Sequence, residues 1–147
     1  MIYWAKWDLN AAIKYGVEFL KYGSDYDISY RMTMAYYQTK QYGKAIIMAQ
    51  YCNSKFGAKH EIYNVMGMSY YYAGNYELAE IALRTANTIY PNYYIYRNNF
   101  GMAYEKLGKL QEALIQYRRS VQLNSGYTKA VENFRRVTQI LTQQGVR

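Results

Sequence analysis

Apolar and small residues recur at Tyr63, Met66, Gly67 and Tyr70, the i, i+3, i+4, i+7 stripe that one face of an α-helix presents. Gly74-Asn75 then interrupts the pattern with turn chemistry. Ala79, Ala82, Leu83 and Ala86 restore the stripe on the next segment. Pro91-Asn92 closes it, because the residue before a proline is biased away from helical backbone. Two helices joined by a short turn are therefore predicted between residues 60 and 93.

The same unit repeats. Met66-Gly67-Met68-Ser69-Tyr70 falls on Phe100-Gly101-Met102-Ala103-Tyr104 one step later and on Met32-Thr33-Met34-Ala35-Tyr36 one step earlier, each step being 34 residues. Gly74 falls on Gly108, and Ala45, Ala79 and Ala113 keep the same interval. A fixed period of this size marks a stack of supersecondary units, each burying an apolar face against its neighbours. Gly67, Gly101 and the three alanines are expected where two helices approach too closely for a bulky side chain.

This arrangement resembles the tetratricopeptide repeat family. The motif is carried by Gly67, Tyr70, Gly74, Ala79, Ala86 and Pro91, and again by Gly101, Tyr104, Gly108, Ala113 and Tyr117. The first copy departs from it, with Thr33 for the small glycine, Lys40 for the turn glycine and Gly57 for the proline; Ser29, Tyr63 and Arg97 stand where the family's leading tryptophan would be. The resemblance covers about residues 8–144 and implies an all-α solenoid of helical hairpins, about eight antiparallel helices in a right-handed superhelical arc. The expected division is an N-terminal half-repeat over 1–24, repeats over 26–59, 60–93 and 94–127, and a capping helix over 128–147.

The two ends are read differently. Residues 128–144 are rich in Lys, Arg, Glu and Gln, the solvated outer face that a solenoid end requires. The N-terminal half-repeat has no such cap, so the expectation there is a longer protein or an end that packs on something else.

Composition narrows the function classes. The 147 residues are 51% apolar, which excludes a disordered chain, and no run approaches the roughly 18 apolar residues of a membrane span. No membrane insertion is expected. The cytoplasm is the default compartment, although a soluble portion of a larger envelope-associated protein would read the same way. The single Cys52 permits no internal disulfide and stands where the next copy has Ala86, a small core position. His60 opens a helix beside Lys59 and Glu61 and is expected to be solvated. Asp25 and Asp27 fall at a helix start, where negative charge suits the helix dipole. Glu77 and Glu80 are expected on an exposed face. One Cys and one His without ligand spacing suggest no metal, and neither phosphate-cradling glycine motif is present. No cofactor and no catalysis are expected of this chain.

The resemblance implies that the first helices of successive repeats line a concave groove. Counted from the small residue of the motif, the groove row is Met34, Met68 and Met102; three residues before it lie Tyr30, Asn64 and Asn98, and four after it Tyr37, Tyr71 and Glu105. Arg136 continues the methionine row on the capping helix. Methionine adapts to irregular apolar surfaces, tyrosine adds area with a hydroxyl, and asparagine can bond both peptide C=O and N–H. These ten residues are the candidate partner-binding groove, although methionines at this spacing also serve as packing between repeats. Some family members clamp a C-terminal carboxylate with Lys, Arg and Asn; here Tyr30 and Met34 occupy the first clamp positions, and Asn99, Lys129 and Asn133 are only partial matches. The resulting expectation is a scaffold or adaptor holding a peptide or partner protein. Two alternatives stay open. The 21 tyrosines suggest self-association into a homo-oligomer. The net charge of +8, with the doublets Arg118-Arg119 and Arg135-Arg136, suggests nucleic acid or an acidic partner at the basic C-terminal end, nucleic acid being the weaker of the two.

Overall fold

The structure, a computed structural model, describes Lys14 and residues 25–145. The half-repeat expected over 1–24 therefore lies outside the described residues, except for Lys14, which is helical and exposed. Among the described residues there is no strand. Seven helices follow Asp25: α1 Tyr26–Gln38, α2 Tyr42–Phe56, α3 His60–Tyr72, α4 Tyr76–Ile89, α5 Tyr94–Lys106, α6 Leu110–Leu123 and α7 Thr128–Gln143.

Helices α1, α3, α5 and α7 begin at residues 26, 60, 94 and 128, so the 34-residue period of the sequence is also the period of the architecture. Asp25 caps α1 by accepting the Ile28 N–H at 3.1 Å, and Asn75 caps α4 through Leu78 N–H at 3.2 Å. Three hairpin turns share one geometry: Lys40, Gly74 and Gly108 adopt left-handed backbone at φ 62°, 88° and 76°. In each the next residue donates back to the helix, Gln41 N–H to Tyr36 C=O at 2.8 Å, Asn75 to Tyr70 at 2.9 Å and Lys109 to Tyr104 at 2.9 Å. These bonds satisfy carbonyls that the helix end would leave open.

Close approach explains the small residues of the motif. A methyl group added at Gly67 would meet Leu83 Cγ at 2.6 Å, and one added at Gly101 would meet Tyr117 Cε1 at 2.6 Å. Leu83 and Tyr117 are fully buried, so α3 and α5 can seat against α4 and α6 only where a side chain is missing. In the first repeat the sizes are exchanged. Thr33 replaces the glycine, and the position equivalent to Leu83 and Tyr117 is the buried Ala49. Thr33 satisfies its hydroxyl by donating to the Ser29 carbonyl at 2.8 Å. Cys52 is fully buried, 3.8 Å from Thr33 Oγ1, and burial pushes its thiol above the ordinary range, as suits an unreactive core residue.

Consecutive helices pack against one another throughout, and first helices of successive repeats also touch, α1 with α3 and α3 with α5. The core follows that line. Met32, Tyr36 and Ala45 form one buried cluster, Ala49, Cys52 and Ile62 another, Met68, Leu83 and Phe100 lie in a third, and Tyr117, Val137 and Leu141 in a fourth.

Two expectations are corrected. Glu80 is buried rather than solvated, because Arg84 one turn later on α4 covers its carboxylate as an ion pair. His60 is half-buried in an aromatic corner: its ring stacks on Tyr90 at 4.5 Å between centroids, Nδ1 lies 2.9 Å from the Tyr96 hydroxyl, and Nε2 lies 3.3 Å from Glu61. Tyr90 comes from the α4–α5 connection and Tyr96 from α5, both far from His60 in sequence.

Candidate functional site

The first helices enclose a cavity of about 650 Å³. Helix α1 supplies Met34 and Tyr37, α3 supplies Asn64, Val65, Met68 and Tyr72, and α5 supplies Ile95, Asn98, Asn99 and Met102. Tyr127, Lys129, Glu132 and Asn133, at the start of α7 and along its first turns, close the far end. Met34, Tyr37, Asn64, Met68, Asn98 and Met102 are thus brought together in one concavity.

Tyr71, Glu105 and Arg136 instead line an adjoining cavity of about 300 Å³ that shares Met102 and Asn133 with the first. Tyr30 borders neither. It stacks on Tyr26 at 6.2 Å between centroids and packs on the Ala49–Cys52–Ile62 cluster.

Burial separates the methionine row into two roles. Met68 is only 5% exposed and packs with Leu83 and Phe100, so it forms the floor of the cavity and part of the core at once. Met34 and Met102 are half-buried and form the accessible apolar wall. The fourth place in the row, Arg136, lines the adjoining cavity. Arg136 is not a free cation, because its guanidinium pairs with both oxygens of Glu105, through Nη2 to Oε1 at 3.0 Å and through Nη1 to Oε2. It also donates to Asn133 Oδ1 at 2.9 Å, and Tyr117 donates its hydroxyl to Glu105 Oε1 at 2.8 Å. Burial opposes charge on Glu105, but the bonds from Arg136 and Tyr117 outweigh it and hold the carboxyl below its ordinary range.

The asparagines form a ladder. Asn99 Nδ2 donates to Asn64 Oδ1 at 3.0 Å, and Asn133 Nδ2 donates to Asn98 Oδ1 at 3.0 Å. Asn98 is almost wholly buried and its own Nδ2 contacts Met102 Sδ at 3.5 Å. Asn64 is half-buried; with its oxygen engaged, its two N–H groups are presented at the wall of the cavity. At the α1 end, Tyr37, Tyr42 and Tyr72 form a ring triangle with centroids 5.6 to 6.2 Å apart. Burial, with Tyr72 and Tyr42 beside it, pushes the Tyr37 hydroxyl up to about 12, so it stays a neutral hydrogen-bonding group.

Sequence reasoning missed Val65, Tyr72, Ile95, Tyr127 and Glu132 as lining residues. Val65 and Asn99 each follow a predicted groove residue by one position, and widening the helical face by one residue would have found them. Tyr127 lies in a connection, where periodicity carries no signal. Among the described residues no three His, Cys, Asp or Glu side chains are grouped as a metal site.

The tetratricopeptide repeat family model matches residues 60–93 and 95–127. No curated protein matches the chain by sequence. Solved structures with the same helix arrangement include the first TPR of Spaghetti (RPAP3) bound to HSP90 peptide SRMEEVD, at TM-score 0.76 and 20% identity over 80% of this chain and 93% of that one. The second TPR domain of human RPAP3, in complex with HSP70 peptide SGPTIEEVD, superposes at TM-score 0.71 and 23% identity, covering 75% of this chain and 92% of that chain. The Sgt2 TPR domain from Aspergillus fumigatus gives TM-score 0.77 and 18% identity over 82% and 81% of the two chains. Helical hairpins recur every 34 residues with small residues at the helix contact, and the two units over 60–93 and 95–127 are tetratricopeptide repeats.

Proposed function

We propose that this chain is a non-catalytic protein-interaction module whose groove holds an extended peptide or a segment of a partner protein. The observation that carries the reading is the cavity of about 650 Å³ that the half-buried Met34, Asn64 and Met102 line together. An apolar side chain can seat on the methionines while a peptide carbonyl accepts from Asn64, the division of labour expected of a groove that binds extended chain. Two of the solved relatives were determined with chaperone peptides bound, which supports peptide binding as the use of the concave side. The groove favours apolar side chains over an acidic tail, because Met34, Met68 and Met102 line it. No helix among the described residues is long and apolar enough to cross a membrane, and the cytoplasm is the compartment we assign by default.

Selection of peptides from a displayed random library tests the groove. Selected peptides are expected to shift backbone resonances along α1, α3 and α5 and to lose affinity for Met34→Lys combined with Met102→Lys. Equal binding to that variant, with its thermal melt preserved, would refute the groove.

A second reading rests on a separate observation. Ile47, Ile81 and Ile115 occupy equivalent places on α2, α4 and α6 and are 67%, 53% and 57% exposed. Such a row suits self-association, with isoleucines rather than the abundant tyrosines as its contacts. A concentration-dependent mass in sedimentation that Ile81→Lys abolishes would support it.

A further inference from the structure

Outside the groove, two arginines converge on one corner without a carboxylate. Arg97, on the first turn of α5, donates from Nε to the Pro91 carbonyl at 2.9 Å and from Nη1 to Gln116 Oε1 at 3.0 Å. Arg119, on α6, donates from Nη2 to Asn92 Oδ1 at 3.1 Å. Pro91 and Asn92 are adjacent, and Gln116 and Arg119 are one helical turn apart, so the two guanidinium groups are drawn to the same place from two helices. The corner itself is fixed: Ser120 donates its hydroxyl to the Tyr94 carbonyl at 2.7 Å, tying α6 to the start of α5.

Among the described residues no carboxylate pairs with either arginine of this corner. The ion pairs among the described residues join Arg31 to Asp27, His60 to Glu61, Arg84 to Glu80 and Arg136 to Glu105; neither Arg97 nor Arg119 takes part. Each is held by neutral oxygens only and keeps unused N–H donors, since a guanidinium carries five. Arg97 is half-buried and Arg119 opposes its charge, so the pair holds two positive charges that no carboxylate among the described residues neutralises.

We propose that Arg97 and Arg119 form a binding site for a phosphoryl dianion, supplied by a phosphorylated side chain of a partner polypeptide. Two planar, pre-positioned guanidinium groups match the oxygens of a phosphoryl group and its double charge. A nucleic acid strand fits less well, because it needs a track of cations along its backbone, and Arg136 of α7 is already neutralised by Glu105. Neither Arg97 nor Arg119 lines the groove, so the site is independent of the ligand proposed there.

The test uses the whole chain and three probes at matched ionic strength: inorganic phosphate, a phosphoserine peptide beside its unphosphorylated form, and a single-stranded oligonucleotide. Phosphate and the phosphopeptide are expected to shift resonances of Asn92, Arg97, Gln116 and Arg119 saturably, while the unphosphorylated peptide does not. Affinity should fall severalfold from pH 7.5 to about pH 5.5, as the phosphoryl group takes up its second proton near pH 6. Arg119→Gln, at an exposed position, should weaken phosphopeptide binding about tenfold without changing the melt, one charge-assisted contact being lost. Unchanged affinity in Arg119→Gln would overturn the proposal, as would absence of saturation by the phosphopeptide. Tight oligonucleotide binding that spreads along α7 would overturn it in favour of nucleic acid.

Discussion

Asn99 reaches across from α5 to donate its side-chain N–H to Asn64 of α3 at 3.0 Å, and 34 residues further on Asn133 of α7 makes the same bond to Asn98 of α5. In the first repeat the corresponding places are Tyr30 and Val65, so the ladder begins only at α3. The two bonds tie successive inner helices together beneath the cavity and orient the Asn64 amide towards it. Asn98→Ala removes a side chain that is 1% exposed and leaves the half-buried Asn133 donor without its acceptor, and the expected cost is about 1–3 kcal/mol. Urea unfolding checks this, and a loss below half a kcal/mol would mean that the ladder does not hold the helices together.

Gly67 and Leu83 form a size pair. Gly67→Ala should destabilise the protein by about 1–3 kcal/mol through overpacking, against the helix propensity that alanine adds. The same change in a Leu83→Ala background should be nearly neutral or stabilising, because the space that Leu83 fills is then empty. A double-mutant cycle by thermal or urea unfolding measures the coupling; additive effects would contradict the contact.

How far the sequence could be read follows from which contacts are periodic. The interval that aligns Gly67 with Gly101 also aligns Leu83 with Tyr117 in reverse sense: a missing side chain on one helix is matched by a filled space on the next, and both sit in register along the chain. Helix pairs and turns were legible for that reason, and so were Met34, Tyr37, Asn64, Met68, Asn98 and Met102 on the cavity wall. His60 and Glu80 were misplaced, and the pairing of Arg136 was not foreseen, because their surroundings come from contacts outside the repeat rule. Tyr90 and Tyr96 approach His60 from a loop and the following helix, Arg84 folds over Glu80, and Arg136 meets a glutamate where the two preceding repeats have Tyr71 and Tyr37. Single substitutions within a repeat carry no periodic signal, and those residues decide the local charge.

Lys40 occupies the left-handed turn position that Gly74 and Gly108 fill in the later repeats. A side chain there costs about 1 kcal/mol, partly offset by the greater freedom that glycine has in the unfolded chain. Lys40→Gly should therefore stabilise the protein by about 0.5–1 kcal/mol and raise its melting temperature by a few degrees. The complementary change Gly74→Lys should destabilise by a similar or larger amount. Calorimetry on both variants decides the matter, and a fall in melting temperature for Lys40→Gly would show that the lysine makes a compensating contact.

Glu105 links pH to the packing of α5, α6 and α7. Its carboxyl is held below the ordinary range in the folded protein, so the unfolded chain binds its proton first as pH falls. The stabilisation from Arg136 and Tyr117 is therefore complete above the unfolded value of about 4.3 and disappears as pH drops through the lower folded value. Glu105→Gln removes the charge at every pH. Its destabilisation relative to the parent should be of order 1 kcal/mol at neutral pH, the pair with Arg136 being partly exposed, and should shrink towards zero below about pH 4. Urea unfolding of both proteins at neutral pH and in acid makes the comparison. A difference that stays constant across that range would show that the Glu105 oxygens act through shape and not through charge.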